Sequence, residues 1–152
     1  MTRANARELA VHLIYAQEFT GDEPEMLIAN RLQKEYYSML SDENPVYEDR
    51  PSRAQRAYID TVVSGVVNQA DILNETIQRY AIDWDITRIS RLARTVMQLA
   101  IFEIKFLEDV PTGVAISEAV RIVKLYDGEE AGSFVNGILG SFARSLNTEV
   151  EV

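Results

Sequence analysis

The chain of 152 residues contains no cysteine and only one histidine, His12. Without cysteine there can be no disulfide framework, no thiolate zinc site and no cysteine nucleophile. With one imidazole, neither a two-histidine metal site nor a serine–histidine relay can form. The sequence therefore predicts no metal site and no catalytic residues of these kinds.

Long apolar runs are also missing. No stretch approaches the roughly 20 apolar residues of a membrane-spanning helix. The segment from Met1 to Glu8 has none of the apolar core of a signal peptide. The absence of cysteine fits a reducing compartment, so we expect a soluble, cytoplasmic protein.

The remaining motifs of enzyme sites are incomplete. Residues 127–130, Asp-Gly-Glu-Glu, lack the alternating oxygen ligands of a calcium loop and are better interpreted as a helix cap. Residues 132–137 have neither the lysine nor the preceding strand of a phosphate-binding loop. Glu103 and Glu118 interrupt apolar helices, but buried ion pairs would explain them as well as acid–base chemistry would. We expect no enzyme and no cofactor.

Basic residues are scarce: 15 lysines and arginines face 24 acidic residues, giving a net charge of −9. This balance argues against nucleic-acid binding by the chain as a whole. The charges are segregated, however. Acidic residues crowd into segments such as 41–51 and the tail 147–152. The arginines lie elsewhere, at Arg3, Arg7, Arg53, Arg56, Arg88, Arg91 and Arg94.

Apolar residues recur every three or four positions through most of the chain, and no segment alternates long enough to compete as a strand. The pattern predicts an all-α protein of six to seven helices in a single domain, residues 1–152, with a loop at about 41–51. Arg3, Arg7 and Glu8 fall outside the apolar stripe of the first helix. The first three expected helices cover about residues 2–19, 24–40 and 52–80, the last with a permitted bend at 65–68. A short helix should begin at residue 83 and be followed, after a bend near Ser90, by a longer helix that ends at about residue 106. The remaining helices should cover about 111–127 and the residues from 132 onward.

The segment 131–139 is the most informative. Gly132 and Ser133 are typical of a helix start, and Phe134, Ile138 and Phe142 would form one apolar face. Asn136-Gly137 is a polar, helix-weakening pair where alanine would serve a plain helix better. This pair indicates a close backbone approach or an exposed polar contact.

Five blocks of sequence together resemble the NusB family of bacterial transcription antitermination factors. They are Ala6-Arg-Glu-x-Ala10 with Tyr15, Trp84-x-Ile86-x-Arg88-Ile89, Arg94 with Leu99-Ala-Ile-Phe-Glu-Ile104, Val110-Pro111 with Ile116-Ser-Glu-Ala-Val120 and Lys124, and Phe134-Val-Asn-Gly-Ile-Leu139. The resemblance spans nearly the whole chain. It implies a compact helical bundle of two packed three-helix halves.

The resemblance also implies a function. Such a protein binds the boxA element of nascent ribosomal RNA together with ribosomal protein NusE, and the complex joins RNA polymerase through other Nus factors. Carried over by position, the residues expected to bind RNA are Arg3, Asn5, Arg7, Ser133, Phe134 and Asn136. Those expected to face the protein partner are Tyr15, Arg94, Glu103 and Glu130.

The chain departs from the family pattern at several positions. Ala4 and Asn5 stand where basic residues are frequent, Ala93 replaces a usually acidic residue, and Gln98 replaces a usual arginine. The acidic segment 41–51 is longer than the family leads one to expect. These changes weaken the expectation of strong RNA binding and of some NusE contacts.

Two alternatives remain open. The small number of arginines near the N-terminus is also compatible with a helical protein-interaction module, or a homodimer, that binds little RNA on its own. A NusB-like domain also leads a family of ribosomal RNA cytosine methyltransferases. Those enzymes need an α/β cofactor domain and a cysteine, and this chain has neither.

Overall fold

The structure, a computed structural model, describes residues 1–84 and 89–151, with residues 147–151 described by their backbone alone. Within these residues it is all-α, as predicted, with no strand. Eight α-helices and one short 3-10 helix are described, slightly more than the six to seven helices expected. They are α1 (Arg3–Thr20), α2 (Pro24–Arg31), α3 (Lys34–Leu40), the 3-10 helix (Pro45–Tyr47), α4 (Arg53–Asn68), α5 (Ala70–Tyr80), α6 (Arg91–Phe106), α7 (Thr112–Asp127) and α8 (Glu129–Glu151).

The chain divides into two compact units, residues 1–68 and 69–152. Each unit holds four of the described α-helices, where three were expected. The difference arises because two predicted helices are each divided. The segment 24–40 is interrupted at Leu32 and Gln33, and the segment 52–80 is interrupted at Gln69, whose backbone leaves the helical region with φ −113° and ψ 18°.

In unit 1, α1 packs mainly against α4, and also against α2 and the 3-10 helix. Thr2 caps α1, because its Oγ1 accepts a hydrogen bond from the Asn5 amide at 3.1 Å. Gly21 ends the helix with a φ of 67°, which favours glycine. Arg7 and Glu8 are buried, although their positions in the sequence lie outside the apolar stripe of the first helix. A helix with neighbours on several sides buries more than one stripe.

The segment around α3 is anchored by Tyr37, whereas the neighbouring Tyr36 is exposed. Tyr37 is buried, and its hydroxyl donates to the carbonyl of Asp49 at 2.6 Å and lies 3.3 Å from that of Val46. Burial raises the pKa of Tyr37 to about 12, assisted by the charge of Asp49 and opposed by Arg50. The acidic segment 41–51 is thus tied to α3 and contains the 3-10 helix.

In unit 2, α6 is buried along most of its length and contacts α5, α7 and α8. Ser90 caps it by accepting the Ala93 amide at 2.9 Å. Helix α8 begins at Glu129, directly after Gly128, so the predicted start at Gly132 and Ser133 is wrong. Gly128, with a φ of 95°, already provides the break between α7 and α8.

Gly132 instead marks a close approach between α7 and α8. A Cβ at this position would lie 2.5 Å from Cγ of Lys124. The short helix predicted from residue 83 falls largely on residues 85–88, outside the described residues. Among the helices described, none combines the length and the apolar character needed to cross a membrane.

Candidate functional site

The first turns of α1 and α4 lie side by side in unit 1. Nε of Arg3 donates to Oε1 of Gln55 at 3.0 Å, and the Arg3 guanidinium carbon lies 4.3 Å from the ring centroid of Tyr58. Arg3 is only partly buried, so it keeps contact with solvent. Two neighbours therefore hold one cationic group at a fixed place on the surface.

The segment Ser52-Arg-Ala-Gln55 has the sequence of a capping box, but only half of that box is formed. Oγ of Ser52 accepts a hydrogen bond from the Gln55 amide at 3.2 Å. The Gln55 side chain, however, accepts from Arg3. The glutamine of the motif thus positions a surface arginine.

Arg7 lies on the same side of α1 but is only 4% exposed, with its guanidinium carbon 5.8 Å from the Tyr58 ring centroid. Its side chain therefore presents little surface to solvent, and its expected contact with RNA stays a prediction. Its position one turn after Arg3 places it beneath the surface arginine, against the same aromatic ring. Asn5 is partly exposed and lies between the two.

Arg53 is a further candidate for RNA binding, and it was not among the RNA-binding residues expected from the sequence. It is exposed at the first position of α4, next to Ser52. Arg56, in the following turn, pairs with Asp60 at 3.1 Å. The positive ends of the α1 and α4 dipoles add to the charge of Arg3 and Arg53. The helix-capping signal at Ser52, combined with the arginine after it, was the clue available in the sequence.

In α8, Ser133 and Asn136 are exposed, whereas Val135, Ile138 and Leu139 are buried. Positions three apart share a face of a helix, so the two polar side chains lie on one exposed face. A Cβ at Gly137 would have open space around it. Of the two interpretations of Asn136-Gly137, the structure fits the exposed polar contact and not the close backbone approach.

Phe134 forms an aromatic pair with Trp84 in unit 2. The ring centroids are 4.6 Å apart and the rings are tilted by 82°, an edge-to-face arrangement. Trp84 is 48% exposed and Phe134 is partly buried. Phe134 is therefore neither a core residue like Ile138 nor an isolated stacking surface.

The pair lines a cavity of about 630 Å³ within unit 2. Three carboxylates also line it: Asp83, Asp127 and Glu130. Oγ of Ser90 donates to Oδ2 of Asp127 at 2.6 Å, which fixes one of the three. The part of the lining that the structure describes is acidic and aromatic and includes no lysine or arginine.

The four residues expected to face a protein partner have different surroundings. Tyr15 is partly buried, and its ring centroid lies 5.1 Å from that of Phe19, which is 58% exposed. Arg94 is partly exposed in the first turn of α6, and Glu130 is exposed at the cavity. Glu103 has no exposed surface, so its expected direct contact with a partner is wrong.

The two family departures in α6 are also explained locally. Ala93 is buried and lines the acidic cavity. Gln98 is 7% exposed, and its Nε2 donates to Oδ1 of Asn74 at 2.7 Å. Gln98 thus joins α6 to α5 inside unit 2 and is not a surface contact.

The only histidine lies inside unit 1. Nδ1 of His12 lies 2.8 Å from the hydroxyl oxygen of Tyr47, a hydrogen bond. Burial lowers the pKa of His12, and the Glu8 carboxylate opposes this shift with a smaller effect. Among the described residues, no group of three histidine, aspartate or glutamate side chains could hold a metal ion.

What the described residues present are cationic, polar and aromatic surfaces on an all-helical scaffold, the features of a binding protein. The model of the NusB family matches residues 4–144. The transcription antitermination protein NusB of Acetivibrio thermocellus is 39% identical over 144 residues, which cover 95% of this chain and 90% of that protein. This chain belongs to the NusB family.

Solved structures agree with this fold. T. maritima NusB superposes with a TM-score of 0.76 at 26% identity, covering 95% of this chain and 92% of that one. A crystal structure of the antitermination factors NusB and NusE in complex with dsRNA matches with a TM-score of 0.71, covering 94% of this chain and 96% of that one. Its identity of 23% supports the fold alone.

Proposed function

We propose that this chain is a cytoplasmic transcription antitermination factor that binds the boxA element of nascent ribosomal RNA together with NusE, and through other Nus factors joins RNA polymerase. The observation that carries this proposal is the family match over residues 4–144, together with a relative named transcription antitermination protein NusB that is 39% identical over 95% of the chain. In this function the chain binds and positions partners and catalyses no reaction.

The phosphates of the RNA would meet unit 1 at the adjoining first turns of α1 and α4. Arg3 and Arg53 supply exposed or partly exposed positive charge, and Asn5 supplies a polar group between the arginines of α1. Arg7 acts indirectly, through packing against Tyr58. Single-stranded RNA is held by such cationic groups together with polar contacts to bases.

Polar contacts to bases or sugars would come from α8 in unit 2. Ser133 and Asn136 are exposed and share one face of this helix. With a net charge of −9, the chain alone would bind RNA weakly. A basic partner bound beside the RNA would add positive surface and effective concentration.

NusE would contact the side chains that remain accessible among those expected. Tyr15 with the exposed Phe19 offers an aromatic surface on α1, and Arg94 offers a charge at the start of α6. Glu130 offers negative charge to a basic partner. Glu103 would contribute only by packing inside α6.

A second candidate is a protein-interaction module, or a homodimer, with little RNA binding. The burial of Arg7 favours it, because one of the few arginines near the N-terminus is only 4% exposed. Under this alternative the chain would join NusE or itself without boxA.

The test is size-exclusion chromatography with light scattering, combined with fluorescence anisotropy of a labelled boxA RNA. The antitermination proposal expects a ternary complex of chain, NusE and boxA, with affinity for boxA well above that for a scrambled RNA of equal composition. Equal affinity for the two RNAs, or a NusE complex that excludes RNA, would overturn it in favour of the second candidate.

A further inference from the structure

We infer that Lys124 binds a phosphate of the RNA next to Ser133 and Asn136, and that Gly132 is the residue that makes room for it. The assignment rests on the proposed function for the nature of the ligand. It gives unit 2 a cationic contact of its own on α8, where the residues expected from the sequence are polar or aromatic.

The stem of Lys124 rests on α8. Lys124 lies in the last turn of α7, and its Cγ, Cε and Cδ atoms lie 2.5, 2.9 and 3.2 Å from the point where a Cβ on Gly132 would stand. Any side chain at position 132 would therefore displace the lysine. Gly132 is buried beneath this stem, although its neighbour Ser133 is exposed. The contact with Gly132 thus directs the lysine along α8.

The ammonium group ends at the first residue of α8. Nζ of Lys124 lies 3.2 Å from Oε2 of Glu129, and the two side chains are 43% and 87% exposed. An ion pair this exposed to water contributes little stability, so a competing anion can replace the carboxylate. Lysine is a common ligand of phosphate. Because the stem already lies against α8, binding costs this lysine less side-chain entropy than an unrestrained one.

The lysine lies on the same face of α8 as the exposed polar residues. Glu129, Gly132, Ser133 and Asn136 follow one another at three- and four-residue spacing, which places them along one stripe of the helix. The ammonium group therefore lies about one turn before Ser133 and Asn136. A phosphate bound to Lys124 would hold the RNA strand where these two side chains can reach a base or a sugar.

A purely structural lysine, which only joins α7 to α8, is the alternative that the experiment must separate. Lys124→Met keeps an unbranched stem over Gly132 and removes the charge, and Lys124→Arg keeps the charge. Lys34 and Lys105 are the other two lysines of the chain, and both are exposed. Lys34→Met and Lys105→Met therefore change the net charge by the same amount and serve as matched controls.

Fluorescence anisotropy of labelled boxA and of a scrambled RNA, with the full chain and NusE at several salt concentrations, measures the phosphate contact. Lys124→Met should weaken the binding of both RNAs about threefold to tenfold. The slope of log affinity against log salt should become shallower by about 0.7, the contribution of one phosphate on a single strand. Lys124→Arg and the two control variants should keep the wild-type slope. Circular dichroism verifies that each variant is folded at the temperature of measurement.

Glu129→Gln tests the exchange of the carboxylate for a phosphate. This variant frees the ammonium group, so it should tighten RNA binding when Lys124 is present. In the Lys124→Met background the same substitution should tighten binding clearly less, because no ammonium remains to be freed. Equal gains in the two backgrounds would show that Glu129 acts by general repulsion, and they would overturn the inferred site.

The remaining outcomes separate this site from the proposed function. An unchanged slope in Lys124→Met, or an equal change in the two control variants, with boxA still preferred over scrambled RNA, would overturn the Lys124 contact alone. Loss of NusE binding in the absence of RNA, with the RNA slope retained, would assign Lys124 to a protein carboxylate and also overturn it. A slope that depends on Lys124 without preference for boxA would sink the proposed function alone, and no binding of either RNA would overturn both.

Discussion

The Arg3 guanidinium lies 4.3 Å from the ring centroid of Tyr58, and the same side chain is hydrogen-bonded to Gln55. A cationic group held by two neighbours loses less side-chain entropy on binding than an unrestrained one. Because Arg7 is buried against the same ring, the two arginines that look equivalent in the sequence have different roles. This difference leads to the first prediction.

Arg3→Ala should reduce the salt dependence of boxA binding and leave thermal stability nearly unchanged. Each phosphate contact contributes about −0.7 to the slope of log affinity against log salt for single strands, so the slope should become shallower by about that amount. Arg7→Ala should instead lower the melting temperature, since it removes a buried side chain. Anisotropy titrations at several salt concentrations and thermal unfolding measure the two effects.

Arg31→Ala is the matched control for this experiment. Arg31 also lies by a tyrosine of unit 1, with its guanidinium carbon 5.4 Å from the Tyr36 ring centroid and a hydrogen bond of 3.0 Å to its hydroxyl. It lies at the end of α2 and not beside Arg3. A slope that changes equally in Arg31→Ala and Arg3→Ala would show that general charge, and not the Arg3 position, determines RNA binding.

Much of the fold could be predicted from the sequence because helical periodicity and helix-capping residues act locally. Ser52, Ser90, Pro111 and Gly128 all lie at helix ends in the structure. The division of the segment 24–40 could not be predicted, since Leu32 and Gln33 carry no glycine or proline signal. Tertiary contacts, such as the anchoring of Tyr37 by the carbonyl of Asp49, decide that break.

The candidate site could be predicted only in part, for a related reason. Exposure of Ser133 and Asn136 follows from their spacing relative to buried Val135 and Leu139. Burial of Arg7 and Glu103 depends on which other helices pack there, and charged residues seldom suggest burial from sequence. Trp84 and Phe134 are 50 positions apart in the sequence, so no local pattern indicated the contact between their rings.

Asn136→Ala should leave the melting temperature unchanged or slightly raised and should weaken boxA binding. The residue is exposed within α8, and alanine is the better helix former. A lost hydrogen bond of about 0.5–1.5 kcal/mol corresponds to about threefold to tenfold in affinity.

The measurements are thermal unfolding and anisotropy with boxA in the presence of NusE. Ser141→Ala, later in the same helix, serves as a control for general changes in α8. If Asn136→Ala unfolds at a clearly lower temperature while RNA affinity is retained, the side chain has a structural role and the proposed contact is wrong.

Gly137→Ala should raise the free energy of unfolding, and Gly132→Ala should raise it by less. Glycine within a helix costs roughly 0.5–1 kcal/mol relative to alanine, and a Cβ at Gly137 meets open space. A Cβ at Gly132 would lie 2.5 Å from Lys124 Cγ, so the lysine stem must move. Urea unfolding of both variants measures the free energies. A larger gain at Gly132 than at Gly137 would contradict the packing described between α7 and α8.

Acidification should destabilise the protein through His12. Burial lowers its pKa in the folded chain below the usual value of 6.5, with Glu8 opposing to a lesser degree. The unfolded chain therefore takes up this proton first as the pH falls. The contribution of neutral His12 to stability is complete above pH 6.5 and is lost as the pH drops from there toward the folded pKa.

His12→Gln removes this titration while keeping a side chain that can hydrogen-bond to Tyr47. The free energies of unfolding of both proteins are measured in urea between about pH 5 and 8, and their difference cancels the shared carboxylates. The difference in free energy of unfolding should be constant above pH 6.5. Below pH 6.5 the wild type should lose stability relative to His12→Gln. Because His12 is the only histidine, its NMR titration gives the folded pKa without ambiguity. A pKa at or above 6.5, or a difference independent of pH, would show that burial does not hold the His12 imidazole neutral.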